Sequence, residues 1–357
     1  MLAGKWPAGG CEYCENIERA NGTSDRLFQN QIPDVYPSQL DIDATKVVVD
    51  PVVLEIFFRN TCNLKCMYCN AKFSSAIQLD DKKYNGAIDS KSSFEYTENQ
   101  YQNNINKFWS WFSSNGHKLK RLNVLGGEPF LQPDTQQLIQ NIELNPCPDM
   151  ELNLITNLSL PPKVVQPILD KLSNLVDTRK VKRVDILASI DCWGKQAEYI
   201  RSGLDCNVFE SNVKLLMSYN KFRLGILTTV NSLSIPYTYS LFEQISQWRQ
   251  KQEWHWYVNF VLPADDSVFD PCVFEYDVYR KELELLLQNV PEDSWDRIQT
   301  KKLFVGVANK LEANCINNIN RQTELVNYLN EYDRRRGTNW KSTFPDIYKI
   351  LKDNYVV

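Results

Sequence analysis

The sequence VVLEIFFRNTCNLKCMYC, residues 52–69, joins an apolar run to three closely spaced cysteines. The run at 52–58 has the composition of a buried strand, and the cysteines follow it with C-x3-C-x2-C spacing. Thiolates are soft ligands that suit zinc, copper and iron–sulfur clusters. The segment therefore predicts a strand whose carboxyl end carries a metal-binding loop formed by Cys62, Cys66 and Cys69.

Three cysteines on one loop can hold three corners of a [4Fe–4S] cubane, which leaves the fourth iron without a protein ligand. A reactive metal site needs such an open coordination position. The alternatives are a zinc knuckle or a set of buried thiols. Zinc prefers a fourth protein ligand, and no His or Cys lies within forty residues downstream of Cys69. The spacing therefore favours a cluster over zinc.

A second motif, Gly126-Gly127-Glu128-Pro129, follows the strand-like run at 122–125. Two glycines at the carboxyl end of a strand let the backbone approach a ligand closely. The loops after the strands of a (βα) barrel build its active site, and we expect Glu128 to lie at that mouth. A Gly-Gly turn is common, so the motif is informative because it follows a strand that carries the cysteine loop.

Short apolar runs alternate with segments of helical spacing beyond the cysteine loop. This alternation is typical of βαβ units and a parallel sheet. Six units predict an α/β fold with a partial (βα)6 TIM-type barrel over residues 51–263. After 52–58 the predicted strands are 122–125, 152–156, 184–190, 224–230 and 256–261, and the predicted helices are 101–114, 135–144, 163–176, a stretch to about 219, and 239–251.

The rest of the chain differs from the barrel. Residues 1–50 predict an irregular, cysteine-bearing N-terminal extension, and the polar segment 80–99 predicts an inserted surface loop. Residues 264–357 predict a helical C-terminal region. Its predicted helices are 276–288, 302–313, 324–335 and 345–352. The run Arg334-Arg335-Arg336 is typical of a solvated helix end.

Composition limits the function. The net charge is −4, which gives no electrostatic reason to expect nucleic acid or an anionic membrane as a partner. No apolar run reaches the length of a membrane span, and the start MLAGKWPAGG lacks the apolar core of a signal peptide, so a cytoplasmic location is expected. Ten cysteines in such a chain favour metal ligands or buried thiols over a disulfide framework. Two histidines are too few for a histidine-rich metal site.

Together these motifs resemble the radical S-adenosylmethionine (SAM) superfamily from residue 53 to about residue 263. The resemblance implies that Cys62, Cys66 and Cys69 hold a [4Fe–4S] cluster whose open iron binds the amino and carboxylate groups of SAM. Tyr68 matches the family's aromatic residue before the third cysteine. The implied reaction is a reductive cleavage of SAM to a 5′-deoxyadenosyl radical, which then abstracts hydrogen from a substrate.

The same resemblance implies a SAM site at the carboxyl ends of the strands. The Gly-Gly-Glu-Pro residues match the motif that binds the cofactor's amino group, and Arg201 resembles an arginine that pairs with its carboxylate. Each weaker match also has a structural interpretation as a cap or turn residue. The implied SAM-binding residues are Gly126, Gly127, Glu128, Pro129, Thr156, Asn157, Ser189, Asp191, Arg201 and Asn231.

The two termini resemble twitch domain-containing radical SAM proteins of marine bacteria and phages. The residues that carry this resemblance are 5–7, 11–14, 24–26, 332–339 and 344–345. A twitch domain can hold an auxiliary iron–sulfur cluster, which makes Cys11 and Cys14 candidate ligands. Two cysteines cannot hold a cubane, so Cys272 and Cys315 are distant candidates to complete it. Zinc and free thiols are the alternatives.

Three isolated cysteines, Cys147, Cys192 and Cys206, are expected in the core, because free cysteine is among the residue types most often buried. Cys192 follows Asp191 at the predicted barrel mouth, so a contact with substrate stays open for it. Aromatic residues expected in the core rather than against a cofactor are Trp109, Trp111, Trp254 and Trp256.

The sequence thus predicts a radical SAM enzyme whose substrate is open between a peptide or protein and a small molecule. The large N- and C-terminal additions favour a peptide or protein. The expected electron donor is a flavodoxin or ferredoxin. The alternative from another class is a non-catalytic zinc or iron–sulfur binding module, in which Glu128 and Arg201 would have no reason to lie near the cysteines.

Overall fold

The structure is a computed structural model that describes residues 50–88, 98–260, 268–315, 318–354 and 356–357, and positions 6, 14, 15 and 18. Most of the predicted N-terminal extension therefore lies outside the described residues. Cys14 is described as a half-buried free thiol, whereas Cys11 lies outside.

Six parallel strands form one sheet in the order of the chain. The first and last of them lie at opposite edges, so the sheet is open where a complete barrel would close. The strands are β1 (Val53–Phe57), β2 (Lys65–Cys66), β3 (Arg121–Leu125), β4 (Cys147–Thr156), β5 (Val181–Ser189), β6 (Arg201–Ser202), β7 (Arg223–Val230) and β8 (Trp254–Phe260). The two short strands, β2 and β6, form a separate antiparallel ladder. The predicted α/β fold with a six-stranded parallel sheet is confirmed.

Helices occupy the crossovers between the strands and the region after the sheet. In chain order they are α1 (Ser75–Lys83), α2 (Glu98–Asn115), α3 (Pro133–Leu144), α4 (Pro162–Asp177), α5 (Lys195–Ile200), α6 (Cys206–Met217), α7 (Thr238–Arg249), α8 (Asp277–Asn289), α9 (Trp295–Asn314), α10 (Ile319–Arg336), α11 (Trp340–Thr343) and α12 (Pro345–Asp353). Proline begins α3 and α4, where its missing N–H costs no intrahelical bond. Helix α4 buries Val165, Ile168, Leu169 and Leu172, whose spacing forms one apolar stripe.

Alternate residues of the strands build the core. Leu122 and Val124 of β3 are fully buried, whereas Asn123 between them faces the other side of the sheet and bonds Asn153 of β4. Trp254 and Trp256 are buried and Trp109 and Trp111 pack against the same core, as predicted. Cys147 and Cys192 are also buried as predicted, and the half-buried Cys206 packs against that core.

The C-terminal region is helical, as predicted, and contains a disulfide between Cys272 and Cys315. Helices α8 and α9 are joined by a short connection and pack together, which returns the end of α9 to the turn before α8. This pairing corrects the expectation that these two cysteines complete an auxiliary metal site, because their sulfurs bond one another.

Two other predictions are corrected. The predicted loop at 80–99 is helical at both ends, since α1 extends to Lys83 and α2 begins at Glu98. The arginine run does end a helix, but the side chains of Arg335 and Arg336 are mostly buried rather than solvated, where Arg335 pairs with Glu331 and Arg336 with Asp80 of α1. None of the described helices is long and apolar enough to cross a membrane.

Candidate metal and cofactor site

The loop that carries the three cysteines begins where β1 ends. Cys62, Cys66 and Cys69 are free, half-buried thiols. The middle of the loop is β2, in which Cys66 lies opposite Arg201 of β6. The backbone N–H of Met67 extends this ladder by donating to the carbonyl of Ile200 at 2.9 Å. The loop is therefore fixed to the segment that follows β5.

The Gly-Gly-Glu motif is fixed to the same loop. A Cβ on Gly127 would overlap the carbonyl oxygen of Thr61, and its φ of +51° already favours glycine. The next N–H, that of Glu128, donates to this carbonyl at 2.7 Å. A Cβ on Gly126 would lie 2.6 Å from the ring of Phe57. The two glycines thus let the turn after β3 contact the start of the cysteine loop.

Glu128 is fully buried and accepts three hydrogen bonds from the protein. Its Oε1 accepts from Phe130 N at 3.0 Å and from the Thr156 hydroxyl at 2.7 Å, and its Oε2 accepts from Asn157 N at 2.7 Å. Burial raises the pKa of Glu128 to about 7, while these three donors oppose the shift. The carboxylate therefore ties the turn after β3 to the end of β4 and retains little spare acceptor capacity.

Asn157 connects the end of β4 to the first cysteine. Its Nδ2 donates to Asn63 Oδ1 at 2.8 Å and lies 3.8 Å from Cys62 Sγ. The backbone N–H of Leu64 also donates to that sulfur, at 3.4 Å. Burial raises the pKa of Cys62, and these two donors oppose the rise. They would stabilise a thiolate bound to metal.

The second cysteine lies beside a buried ion pair. Arg201 donates from Nε and Nη2 to the two carboxylate oxygens of Asp191, at 3.0 and 2.9 Å. Asp191 also accepts from the Tyr68 hydroxyl at 2.7 Å and from Thr229 N at 3.0 Å. Burial raises the pKa of Cys66, and the Arg201 cation opposes the rise. Asp191 and Arg201, which the sequence placed in the SAM site, thus bind one another.

The structure separates the remaining candidates. Pro129 is buried and begins a 3-10 turn, so it belongs to the same turn as Glu128. Asn231 is buried, and its Oδ1 caps a local turn by accepting from Leu233 N and Ser234 N. Ser189 is the half-buried last residue of β5. No hydrogen bond among the described residues joins Ser189 or Asn231 to the cysteine loop.

Sequence reasoning missed three residues that hold the loop. Gln132 is buried and donates to the carbonyls of Arg59 and Gly126, at 2.8 and 2.7 Å. Ser74 caps α1 and donates to Leu64 O at 2.7 Å. The third is Tyr328 of α10. A polar Gln132 just after the Gly-Gly-Glu-Pro motif was a local signal, whereas nothing near Tyr328 in sequence pointed to this site.

The three thiols of the loop form a candidate donor set for a metal centre. The three thiols lie close enough that a neighbouring thiolate raises the pKa of Cys66 and of Cys69. Among the described residues, however, no group of three or more His, Cys, Asp or Glu side chains could hold one metal ion. A cubane binds each cysteine through a different iron, so its ligands lie farther apart than those of one ion. By their chemistry, three thiols on one loop suit a [4Fe–4S] cubane with one open iron, so Cys62, Cys66 and Cys69 are its candidate ligands.

Comparisons with known proteins give only weak likenesses. No family model and no curated protein matches the sequence. Among solved structures, anSMEcpe with bound AdoMet gives a TM-score of 0.44 at 17% identity, over 68% of this chain and 61% of that one. Streptococcus suis SuiB bound to S-adenosylmethionine gives 0.45 at 15% identity, over 67% and 48%. This chain thus spans less than two thirds of either protein. Likenesses this weak carry no inference about activity, so function must be argued from the site.

Proposed function

We propose that the chain is a radical SAM enzyme, in which Cys62, Cys66 and Cys69 hold a [4Fe–4S] cluster. The observation that carries the proposal is the hydrogen bond from Glu128 N to the Thr61 carbonyl. It makes the cysteine loop and the Gly-Gly-Glu turn one structure, although they lie on different strands. A metal-stabilised binding module would not require this convergence.

Cys62, Cys66 and Cys69 would hold a cluster that could supply the electron for reductive cleavage of SAM, the source of a hydrogen-abstracting radical. The chain's own residues bind and orient. Three cysteines leave one iron open for the cofactor. The backbone of Gly126 and Gly127 suits the cofactor's ammonium group, and Glu128 has one of about four acceptor positions left after its three hydrogen bonds. Thr156 and Asn157, at the end of β4, hold the carboxylate of Glu128 in place.

Arg201 keeps a role beside its ion pair. Its Nε and Nη2 bind Asp191, and its Nη1 makes no hydrogen bond to the described residues. We assign this remaining nitrogen to the carboxylate of the cofactor, because a guanidinium has five N–H donors in a planar fork. Asp191 then keeps the guanidinium charged and in place. Ser189 and Asn231 are proposed to contact the cofactor from the ends of β5 and β7.

The substrate is proposed to be a peptide or protein, because the helical region after the barrel exceeds what a minimal small-molecule enzyme needs. A small molecule is the alternative, and a short precursor peptide encoded beside this gene would decide between them. A cytoplasmic flavodoxin or ferredoxin is proposed as electron donor. For Cys11 and Cys14, an auxiliary twitch-type cluster, zinc and free thiols remain the options.

The test is anaerobic reconstitution followed by measurement of iron and sulfide per chain. The wild type is compared with the triple variant Cys62→Ala/Cys66→Ala/Cys69→Ala, and Cys206→Ala is the matched control outside the loop. We expect about four irons to be lost in the triple variant alone. Reduced wild type should then form 5′-deoxyadenosine from SAM. Zinc in place of iron, or no 5′-deoxyadenosine with any substrate tried, would overturn the proposal.

A further inference from the structure

One face of α10 lies against the cysteine loop and the segments around it. Tyr328, Tyr332 and Arg336 are spaced four residues apart, so they share this face. Tyr332 donates to the carbonyl of Tyr199 at 2.8 Å. The next residue, Ile200, accepts a hydrogen bond from Met67 N. Arg336 binds both carboxylate oxygens of Asp80, at 2.7 and 2.8 Å, on the helix that follows the loop. This face of α10 therefore contacts the protein on both sides of the cysteine loop.

Tyr328 contacts the loop itself, between the second and third cysteines. Its hydroxyl donates to the carbonyl of Met67 at 3.0 Å. Its ring packs edge-on against Phe269, with centroids 4.9 Å apart, and stacks with Tyr332. These ring contacts fix the direction of the hydroxyl, so the bond to Met67 is supported from the opposite side.

The carbonyl that Tyr328 holds determines the shape of a turn. Cys69 N donates to Cys66 O at 3.1 Å, so residues 66–69 form a β-turn with Met67 and Tyr68 at its centre. The central peptide of a β-turn points in opposite directions in types I and II, and type II needs a positive φ at its third residue. Tyr68 has no positive φ, so this turn is not type II. A bond to the Met67 carbonyl keeps the central peptide in the observed orientation.

We propose that Tyr328 is a positioning residue for the [4Fe–4S] cluster. Its hydroxyl fixes the central peptide of the turn, and the turn fixes how Cys66 and Cys69 present their sulfurs. Met67 is 3% exposed, so without Tyr328 little water can replace the lost donor. This inference rests on the proposed function, because it concerns the cluster that those cysteines hold.

The test compares three conservative variants. Tyr328→Phe removes the hydroxyl and keeps the ring. Tyr219→Phe is the matched control, because Tyr219 also packs on a phenylalanine and donates to a carboxylate, that of Asp170, far from the loop. Tyr332→Phe removes a bond from the same face of α10 that does not reach the loop. Each reconstituted protein is exposed to an iron chelator, and the iron-release rate, the cluster's reduction potential and the melting temperature without iron are measured.

We expect Tyr328→Phe to release iron about fivefold faster than wild type, the effect of losing one ordinary hydrogen bond. Its reduction potential should also shift, while its melting temperature without iron matches that of Tyr219→Phe. Equal release from Tyr328→Phe and Tyr219→Phe would overturn the inference, as would equally fast release from Tyr332→Phe. A wild type that binds no iron would instead remove the proposed function, and the inference with it.

Discussion

Cys66 and Arg201 face each other across a two-residue antiparallel ladder, so the second cysteine of the loop lies beside a buried guanidinium. The ladder joins the loop after β1 to the segment after β5, which are far apart in sequence. The charge of Arg201 is balanced by Asp191, and the same carboxylate anchors Tyr68 of the loop. One buried ion pair thus links the cysteine loop, the end of β5 and the segment of Arg201.

Replacing Asp191 with Asn should destabilise the protein without iron by about 3 kcal/mol, since it leaves the Arg201 cation buried without a counter-ion. The measurement is the free energy of unfolding from urea denaturation. Asp149→Asn is the matched control, because Asp149 pairs with Lys120 in solvent, and it should change little. The role assigned to Asp191 is wrong if the two variants unfold at the same urea concentration.

Replacing Gly127 with Ala should loosen the junction between the two motifs. The new Cβ would overlap the Thr61 carbonyl oxygen, and the alanine would have to keep the positive φ of Gly127. Gly337→Ala is the control, because Gly337 has a φ of +68° but open space around it. We expect a loss of about 1 kcal/mol in the control from backbone strain, and a further 1–3 kcal/mol at Gly127 from overlap. Chemical denaturation measures both.

The same pair of variants also tests the site directly. Gly127→Ala should bind less iron after reconstitution, because the start of the cysteine loop is displaced, whereas Gly337→Ala should bind as much as wild type. Full iron content in both variants would show that the Gly-Gly-Glu turn does not affect iron binding at the cysteine loop.

The pH dependence of stability should report on Glu128. Burial raises its pKa from the ordinary value of 4.5 to about 7. Between these values the native protein keeps a proton that the unfolded chain has lost, so the free energy of unfolding decreases as the pH rises from about 4.5 to 7. In Glu128→Gln this slope should be shallower by about 1.4 kcal/mol per pH unit.

A second carboxyl makes the comparison sharper. Burial also raises the pKa of Glu282 to about 7. Its carboxylate accepts a hydrogen bond from Tyr239 N, and this contact lies away from the cysteine loop. Glu282→Gln should remove a similar share of the slope and leave SAM binding intact. Glu128→Gln should remove its own share of the pH slope and should also lose SAM binding. Calorimetric titration with SAM separates the two, and unchanged SAM binding by Glu128→Gln would contradict the assigned role.

Replacing Arg336 with Ala should weaken the contact between α10 and α1, the helix that follows the cysteine loop. Arg336→Ala removes the shortest of the three ion pairs of Asp80, while Lys65 and Arg335 remain nearby, so we expect a loss of about 2 kcal/mol in the free energy of unfolding. Arg334→Ala is the adjacent control, since Arg334 pairs with Glu331 at the surface and should change little. Equal midpoints in guanidinium denaturation would show that the contact with Asp80 contributes nothing.

Much of the fold and the centre of the site were predictable because their signals are local. Hydrophobic runs of strand length alternate with helical spacing, and this alternation decides the parallel sheet. The cysteine spacing and the Gly-Gly turn each lie within a few residues, and both follow predicted strands. Their convergence followed from the rule that parallel strands end at the same edge.

The contacts of α10 were not predictable because they join residues far apart in sequence. The arginine run looked like an ordinary solvated helix end, and only the folded chain brings Asp80 to Arg336. The pairing of Cys272 with Cys315 was missed for a similar reason, because composition alone favoured metal ligands or free thiols. Local patterns carry no information about which distant helix will cover a loop.

The bond between Tyr328 and Met67 spans 261 residues, which has a consequence for biosynthesis. Ribosomes add about 5–20 residues per second, so roughly 15–50 s pass between the emergence of the cysteines and that of their restraining tyrosine. During this interval the partners of the loop that come earlier in the chain, Ile200 and Asp191 among them, have emerged, but the bond from Tyr328 is missing. A cluster held by Cys62, Cys66 and Cys69 would therefore gain the restraint from Tyr328 only after α10 has been translated.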